Sequence, residues 1–157
     1  MLETRSATTA DAALIASHRR AMFAAMGGFE EPILDAVRRT SGPWTARMIE
    51  EGRYLGWITM DADRPIASAG LLILDWAPHP LDPVGETRAY LLNVFVEPEY
   101  RGRGLARGLV ELSLAEARRR NIRVISLHAS NEGRPLYEKL GFRTTNEMLC
   151  VVAALPG

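Results

Sequence analysis

A chain of 157 residues with 47% hydrophobic and 24% charged side chains is long enough to bury one sizeable core, which excludes a repeat array, a fibrous chain and a disordered tail. Nineteen basic against nineteen acidic residues leave no formal net charge, so no overall field draws the molecule to nucleic acid or an anionic membrane, and any anion binding must be local. Lone Cys150 has no disulfide partner, and neither a leader nor a stretch of about 20 apolar residues is present, which predicts a cytoplasmic protein without a membrane partner.

Leu2 to Ser6 has strand composition, and Thr8 with Asp11 three positions later makes a capping-box start to a helix. Leu14, Ile15, Met22 and Phe23 recur at helical spacing to about Met26, where Gly27-Gly28 stops the run. A second helix is expected over about Glu30 to Arg39, interrupted by Ser41-Gly42-Pro43, with a short third piece to about Glu51. Tyr54 to Met60 and Ile66 to Trp76 predict an antiparallel hairpin, followed by a Pro-rich loop from Ala77 to Arg88. Ala89 to Val96 is nearly continuous apolar sequence, as in a strand buried on both faces.

Leu105 to Arg120 predicts a helix with a wide apolar face, and only Glu116 breaks the pattern. With the strand expected at Ile122 to His128 it completes a strand, helix, strand unit whose outcome is a parallel pair. A short helix at Arg134 to Leu140 stops at Gly141, and Phe142 to Thr144 and Glu147 to Ala154 are expected as closing strands, the last burying Cys150. No linker or repeat divides the chain, so one α+β domain over residues 1–157 is predicted.

The segment with most chemistry is Val94-Phe95-Val96-Glu97-Pro98-Glu99-Tyr100-Arg101-Gly102-Arg103-Gly104-Leu105-Ala106, a strand running through a Gly-rich turn into a helix start. First-turn amides and the positive end of the helix dipole can together hold an anion, and glycines at 102 and 104 remove the Cβ atoms that would keep a phosphate away. From Arg101 to Arg123 there are seven Arg against Glu111 and Glu116, a local excess of five positive charges on a neutral chain. This suits a pyrophosphate, but it is neither a P-loop, which needs Gly-Lys-Ser/Thr, nor a three-glycine dinucleotide fingerprint. The absence of interleaved aromatics argues against nucleic acid.

Preceded by Val96-Glu97-Pro98, the run Arg101-Gly102-Arg103-Gly104-Leu105-Ala106 resembles the Gln/Arg-x-x-Gly-x-Gly/Ala signature of the GCN5-related N-acetyltransferase superfamily, which binds acetyl-coenzyme A. Ser130-Asn131-Glu132-Gly133-Arg134-Pro135-Leu136-Tyr137-Glu138-Lys139-Leu140-Gly141-Phe142 is similar to that family's Asn-x-x-Ala-x-x-Leu-Tyr-x-Lys-x-Gly-Phe. The likeness is sharp over about residues 89 to 145 and agrees in element order elsewhere.

The resemblance implies an α+β, three-layer fold: a mixed, mostly antiparallel sheet of six to seven strands flanked by helices, its fourth strand bulged and splayed from a parallel fifth. It implies acetyl-coenzyme A as cosubstrate, no metal, and direct acetyl transfer to a primary amine of a small-molecule or peptide acceptor. Carried over, the backbones of Val94, Phe95 and Val96 pair with the pantetheine arm, and Arg101, Gly102, Arg103, Gly104, Leu105 and Ala106 hold the pyrophosphate. Tyr137 takes the place of the general acid that protonates the departing thiolate. The pantetheine-binding Asn falls on Asn131 counted from Leu127 and on Ser130 counted back from Tyr137, because the sequence is one residue shorter between those landmarks.

No carboxylate aligns where the family often places its base; Tyr90 and Ser126 stand there. Glu86, Glu97, His79, His128 or a chain of waters are the alternatives. A non-catalytic acyl-coenzyme A binding or sensing module is the competing function, favoured by the missing base and disfavoured by Tyr137. The apolar run from Met148 to Leu155 suits a dimer edge.

Overall fold

The computed structural model describes residues 1–156. Five strands lie in sequential order in one sheet: β1 (Leu2–Ser6), β2 (Tyr54–Asp61), β3 (Arg64–Asp75), β4 (Thr87–Val96) and β5 (Ile125–Ser126). The first four pair antiparallel, and β4 pairs with β5 in parallel. Helices α1 (Ala12–Met26) and α2 (Glu31–Glu50) cover one face, α3 (Leu105–Arg119) covers the other, and α4 (Arg134–Lys139) follows β5. The expected fold class holds, with five strands in place of six to seven.

The two faces are separated by the strand alternation. Leu71 and Ala89 point with Ala117 and Ile122 toward α3, and Ala67 and Ala69 pack on Leu109. Tyr54, Leu72 and Leu92 point the other way, against Ile15, Trp44 and Met48. Glu116, the residue out of pattern on α3, is explained by ion pairs to Arg119 and Arg120 at 2.6 and 2.7 Å, which hold its carboxyl down at about 2. The capping box is also realised: Asp11 accepts from the Thr8 amide at 2.8 Å and from Arg5.

Three expectations are corrected. Pro43 does not break the second helix; α2 continues through it, because Leu34, Thr45 and Met48 bury one stripe along the whole length and outweigh a lost backbone bond. The strand expected at Ile122 to His128 shortens to two ladder residues. The closing strands at Phe142 to Thr144 and Glu147 to Ala154 do not form among the described residues: neither segment joins the two-residue β5, Cys150 is exposed rather than buried, and only a turn of 3-10 helix appears at Val152–Ala154.

The feature that shapes the site is a bulge in β4. Ser68 faces Phe95 and Gly70 faces Leu92, so Ala69 alone opposes Asn93 and Val94. Asn93 takes a left-handed conformation, φ 56°, that Asn tolerates better than most residues, and the strand's phase slips by one. Leu92 and Asn93 consequently both face α1 and α2, and Phe95 follows them two residues on.

Phe95 stacks on His18 of α1 with ring centroids 4.4 Å apart, and His18 Nδ1 lies 2.8 Å from the Ser68 hydroxyl. Burial lowers the His18 pKa from 6.5 to about 4. Because the native state resists a proton that the unfolded chain accepts, stability is lost as pH falls from 6.5 toward 4. The full effect is roughly 3 kcal/mol, of which about 2 kcal/mol is gone by pH 5. Urea unfolding at pH 7 and pH 5 should show that loss, and His18→Gln should flatten the profile; equal slopes in both proteins would remove His18 as the cause.

Candidate functional site

β4 and β5 share only the pairs Ala89 with Ile125 and Tyr90 with Ser126. Beyond Tyr90 the strands part, leaving the β5-side edge of Leu91 to Val96 without a ladder partner. The mouth of this V leads through a turn of 3-10 helix at Pro98–Tyr100 to α3. A bulge followed by an unpaired edge is where an extended amide-bearing chain can add as a strand.

The turn into α3 is held from outside. Arg101 Nε donates to the Val96 carbonyl at 3.1 Å and Arg103 to the Glu99 carbonyl at 3.0 Å, with the Arg103 guanidinium 4.9 Å from the Tyr100 ring centroid. Tyr100 in turn donates to Asp61 at 2.6 Å. Two expected phosphate-directed arginines thus also brace the loop.

Gly102 and Gly104 have φ of 75° and 80°, and a Cβ on either would meet nothing within 4 Å of this chain. Glycine is required there by backbone conformation, while the space above is open. Arg101 donates to Pro98, and the next backbone donor is Gly108, to the Gly104 carbonyl at 3.0 Å. Among the described residues the amides of 102 to 107 have no acceptor, and residues 101 to 104 are exposed. Consecutive unmet donors at a helix N-terminus are able to accept an anion together.

Across the V lies the loop before α4. The Ser130 hydroxyl accepts from the Gly133 amide at 3.1 Å, serving as a local turn, whereas exposed Asn131 makes no hydrogen bond among the described residues. Tyr137, on α4, is half-buried and stacks edge-on against Phe142 at 5.8 Å; its hydroxyl has no partner among the described residues. Burial raises its pKa above the ordinary 10.0. The phenol is therefore a protonated, uncommitted donor near neutral pH.

At the apex of the V the Tyr90 hydroxyl meets His128 Nδ1 directly. Burial is the main influence on Tyr90 and raises its pKa, with the His128 backbone and Arg19 opposing it. Of the alternative bases, His128 alone touches Tyr90. Glu97 lies at the far end of β4, where its amide donates to Ile66. Glu86 lines a depression of about 400 Å³ with Asp75 and Trp76, and His79 accepts from the Leu81 amide.

Two site-forming residues escaped the sequence reading. Buried Asn93 donates to the Tyr54 hydroxyl at 3.0 Å and accepts from Arg19 at 2.8 Å. Signals existed: an Asn within an apolar strand, and an Arg four residues from Ile15 and from Phe23 on the inward helix stripe. Among the described residues no cluster of His, Cys, Asp and Glu could hold a metal, and no helix is long and apolar enough to cross a membrane.

Known proteins share this fold and part of this sequence. The model of the acetyltransferase (GNAT) family matches residues 18–142. A GCN5-related N-acetyltransferase from Ralstonia eutropha JMP134 is 34% identical with a TM-score of 0.93, over 98% of this chain and 100% of that one. A predicted acetyltransferase from Clostridium acetobutylicum, solved with acetyl-CoA, is 30% identical with a TM-score of 0.85 over 96% of each chain. Human N-acetyltransferase 8B is 28% identical over 116 residues, 71% of this chain, and the chain spans about half (48%) of that relative's length.

Proposed function

The chain belongs to the acetyltransferase (GNAT) family, and on that basis we propose that it moves an acetyl group from acetyl-coenzyme A to a primary amine by direct attack. The observation that carries this reading is the run of unmet amides from residues 102 to 107, set beside the unpaired edge of a bulged β4. A phosphate head and an amide arm match those two surfaces in that order. Acetyl-coenzyme A in the relative from Clostridium acetobutylicum supports the same ligand.

In this assignment the amides of Gly102 to Ala106, with Arg101 and Arg103, take the pyrophosphate, and the backbones of Val94, Phe95 and Val96 pair with pantetheine. Asn131 is preferred to Ser130 as its side-chain partner, since Ser130 already serves the loop. The acceptor nitrogen attacks the thioester carbon, the new N–C bond forms and the C–S bond breaks. Tyr137 gives its proton to the departing sulfur. The amine's proton leaves through His128, which Tyr90 orients at the apex.

Coenzyme A should raise the melting temperature more than NAD or ATP does, and an acceptor screen should release thiol from acetyl-coenzyme A. Equal stabilisation by ATP would dispose of the cofactor assignment. The lack of a carboxylate at Tyr90 and Ser126 keeps a second reading, an acyl-coenzyme A sensor, in view; stabilisation without thiol release for any amine would select it.

The exposed run of Met148, Leu149, Val151, Val152 and Leu155 is too apolar to be left in water, and β5 has an open outer edge. We assign this arm to a second copy of the chain, exchanged between open edges. Light scattering should return the mass of two chains, and Val152→Asp the mass of one. A single-chain mass for the unaltered protein would reject the assignment.

A further inference from the structure

Beside the apex, between α1, α2 and β4, lies a cavity of about 250 Å³ lined by Arg19, Thr40, Ser41, Trp44 and Leu92. Its position follows from the strand pleat: Leu92 is two residues from Tyr90 on the same face, so the cavity begins within about 7 Å along β4 of the Tyr90 and His128 pair to which the amine's proton path is assigned. That distance suits the two ends of one small molecule.

Arg19 sets its chemistry. The side chain is half-buried, one N–H is used on Asn93 at 2.8 Å, and the guanidinium lies 4.9 Å from the Phe23 ring centroid. Among the described residues it forms no ion pair, although Arg20 beside it pairs with Asp35 at 2.8 Å and with Glu31. Burial disfavours its charge, and the neighbouring phenols of Tyr54 and Tyr90, both raised above their ordinary pKa by burial, are neutral near pH 7 and supply no counter-charge. A cation taken from water without a counter-charge is costly, and the cost is relieved when an anion enters.

The remaining walls agree. The Ser41 hydroxyl has no partner among the described residues, whereas Thr40 donates to the Ala36 carbonyl at 2.9 Å, so Ser41 is the free hydroxyl donor. Trp44, edge-on to Tyr54 at 6.3 Å, and Leu92 supply apolar surface. With no carboxylate lining it, the cavity has nothing to hold a second ammonium group.

We propose that the acceptor is a small amine that carries a carboxylate, with Arg19 and Ser41 holding the carboxylate, Trp44 and Leu92 contacting its apolar part, and the amine turned toward Tyr90 and His128. Arg19 is a positioning and specificity residue. It selects amino acids with an apolar body and rejects polycations, which its charge repels. The inference rests on the acetyl-transfer reading and names the substrate class for it.

The test is thiol release from acetyl-coenzyme A with matched pairs: L-phenylalanine against phenethylamine, 5-aminovalerate against pentylamine, and spermidine as a polycation. Carboxylate-bearing members should show kcat/KM roughly 10- to 100-fold above their partners. Arg19→Gln should raise KM for those acceptors by a similar factor and bring the kcat/KM ratio within each matched pair close to one, while KM for acetyl-coenzyme A moves far less. Arg19→Lys, which retains charge, should restore part of the preference and serves where the Gln variant does not fold.

Preference for the uncharged partners or for spermidine overturns the inference while leaving acetyl transfer standing. Should no amine release thiol, transfer itself fails, and calorimetry on the coenzyme A complex decides the cavity. Binding of N-acetylphenylalanine that Arg19→Gln abolishes supports the anion site; no binding, or equal binding of N-acetylphenethylamine, overturns it.

Discussion

Tyr137→Phe is expected to lower kcat by roughly 100- to 10,000-fold, the range over which a positioned general acid acts, while the affinity for coenzyme A stays within a factor of about three. The variant keeps the ring and its edge-on contact with Phe142, so the packing of α4 is preserved. Only the hydroxyl is lost, and it serves no structural bond among the described residues. Its burial-raised pKa keeps the proton in place at neutral pH, so the donor weakens only as pH rises through a value above 10.0. Single-turnover kinetics with titration calorimetry separates the two effects. A large loss of affinity at full kcat would make Tyr137 a binding contact, and no change in either would leave the thiolate to depart unaided.

The helices and antiparallel strands were legible because their signals are local: the Thr8 and Asp11 cap, the turn between β2 and β3, and the nearly continuous apolar run of β4. Pro43 misled because its cost is local while the stripe that carries α2 through it, Leu34 to Met48, is satisfied only by α1 and β2. The C-terminal strands misled in the opposite sense. Met148 to Leu155 has strand composition, yet a strand exists only once another edge pairs with it, and among the described residues this segment pairs with no edge of its own chain.

At the site, residues 101 to 106 were legible because a glycine pair ahead of a helix reads directly as a left-handed turn and a row of amides. Arg19 and Asn93 were not, since their roles depend on the bulge. The slip of phase at Asn93 brings a residue of β4 to face α1, and nothing in a single apolar strand announces where its pleat will shift. The pairing of Tyr90 with His128 depends likewise on a register, Tyr90 opposite Ser126, that only the folded sheet defines.

Gly104→Val is expected to raise the dissociation constant for coenzyme A by about 100-fold or more, two contributions adding. At φ 80° a β-branched residue is strained by roughly 1 to 2 kcal/mol, so the turn shifts away from the conformation that aligns the amides of 102 to 107. The new side chain also occupies the open space above the helix start, where the pyrophosphate is assigned. The fold should survive, since a Cβ there meets no atom of the protein within 4 Å. Gly108→Ala, one turn along α3 and equally unobstructed, provides the contrast: it should stabilise the helix by roughly 0.5 to 1 kcal/mol and leave coenzyme A affinity nearly unchanged. If Gly104→Val binds coenzyme A as tightly as the unaltered chain does, the diphosphate is held elsewhere and the assignment of the α3 amides is wrong.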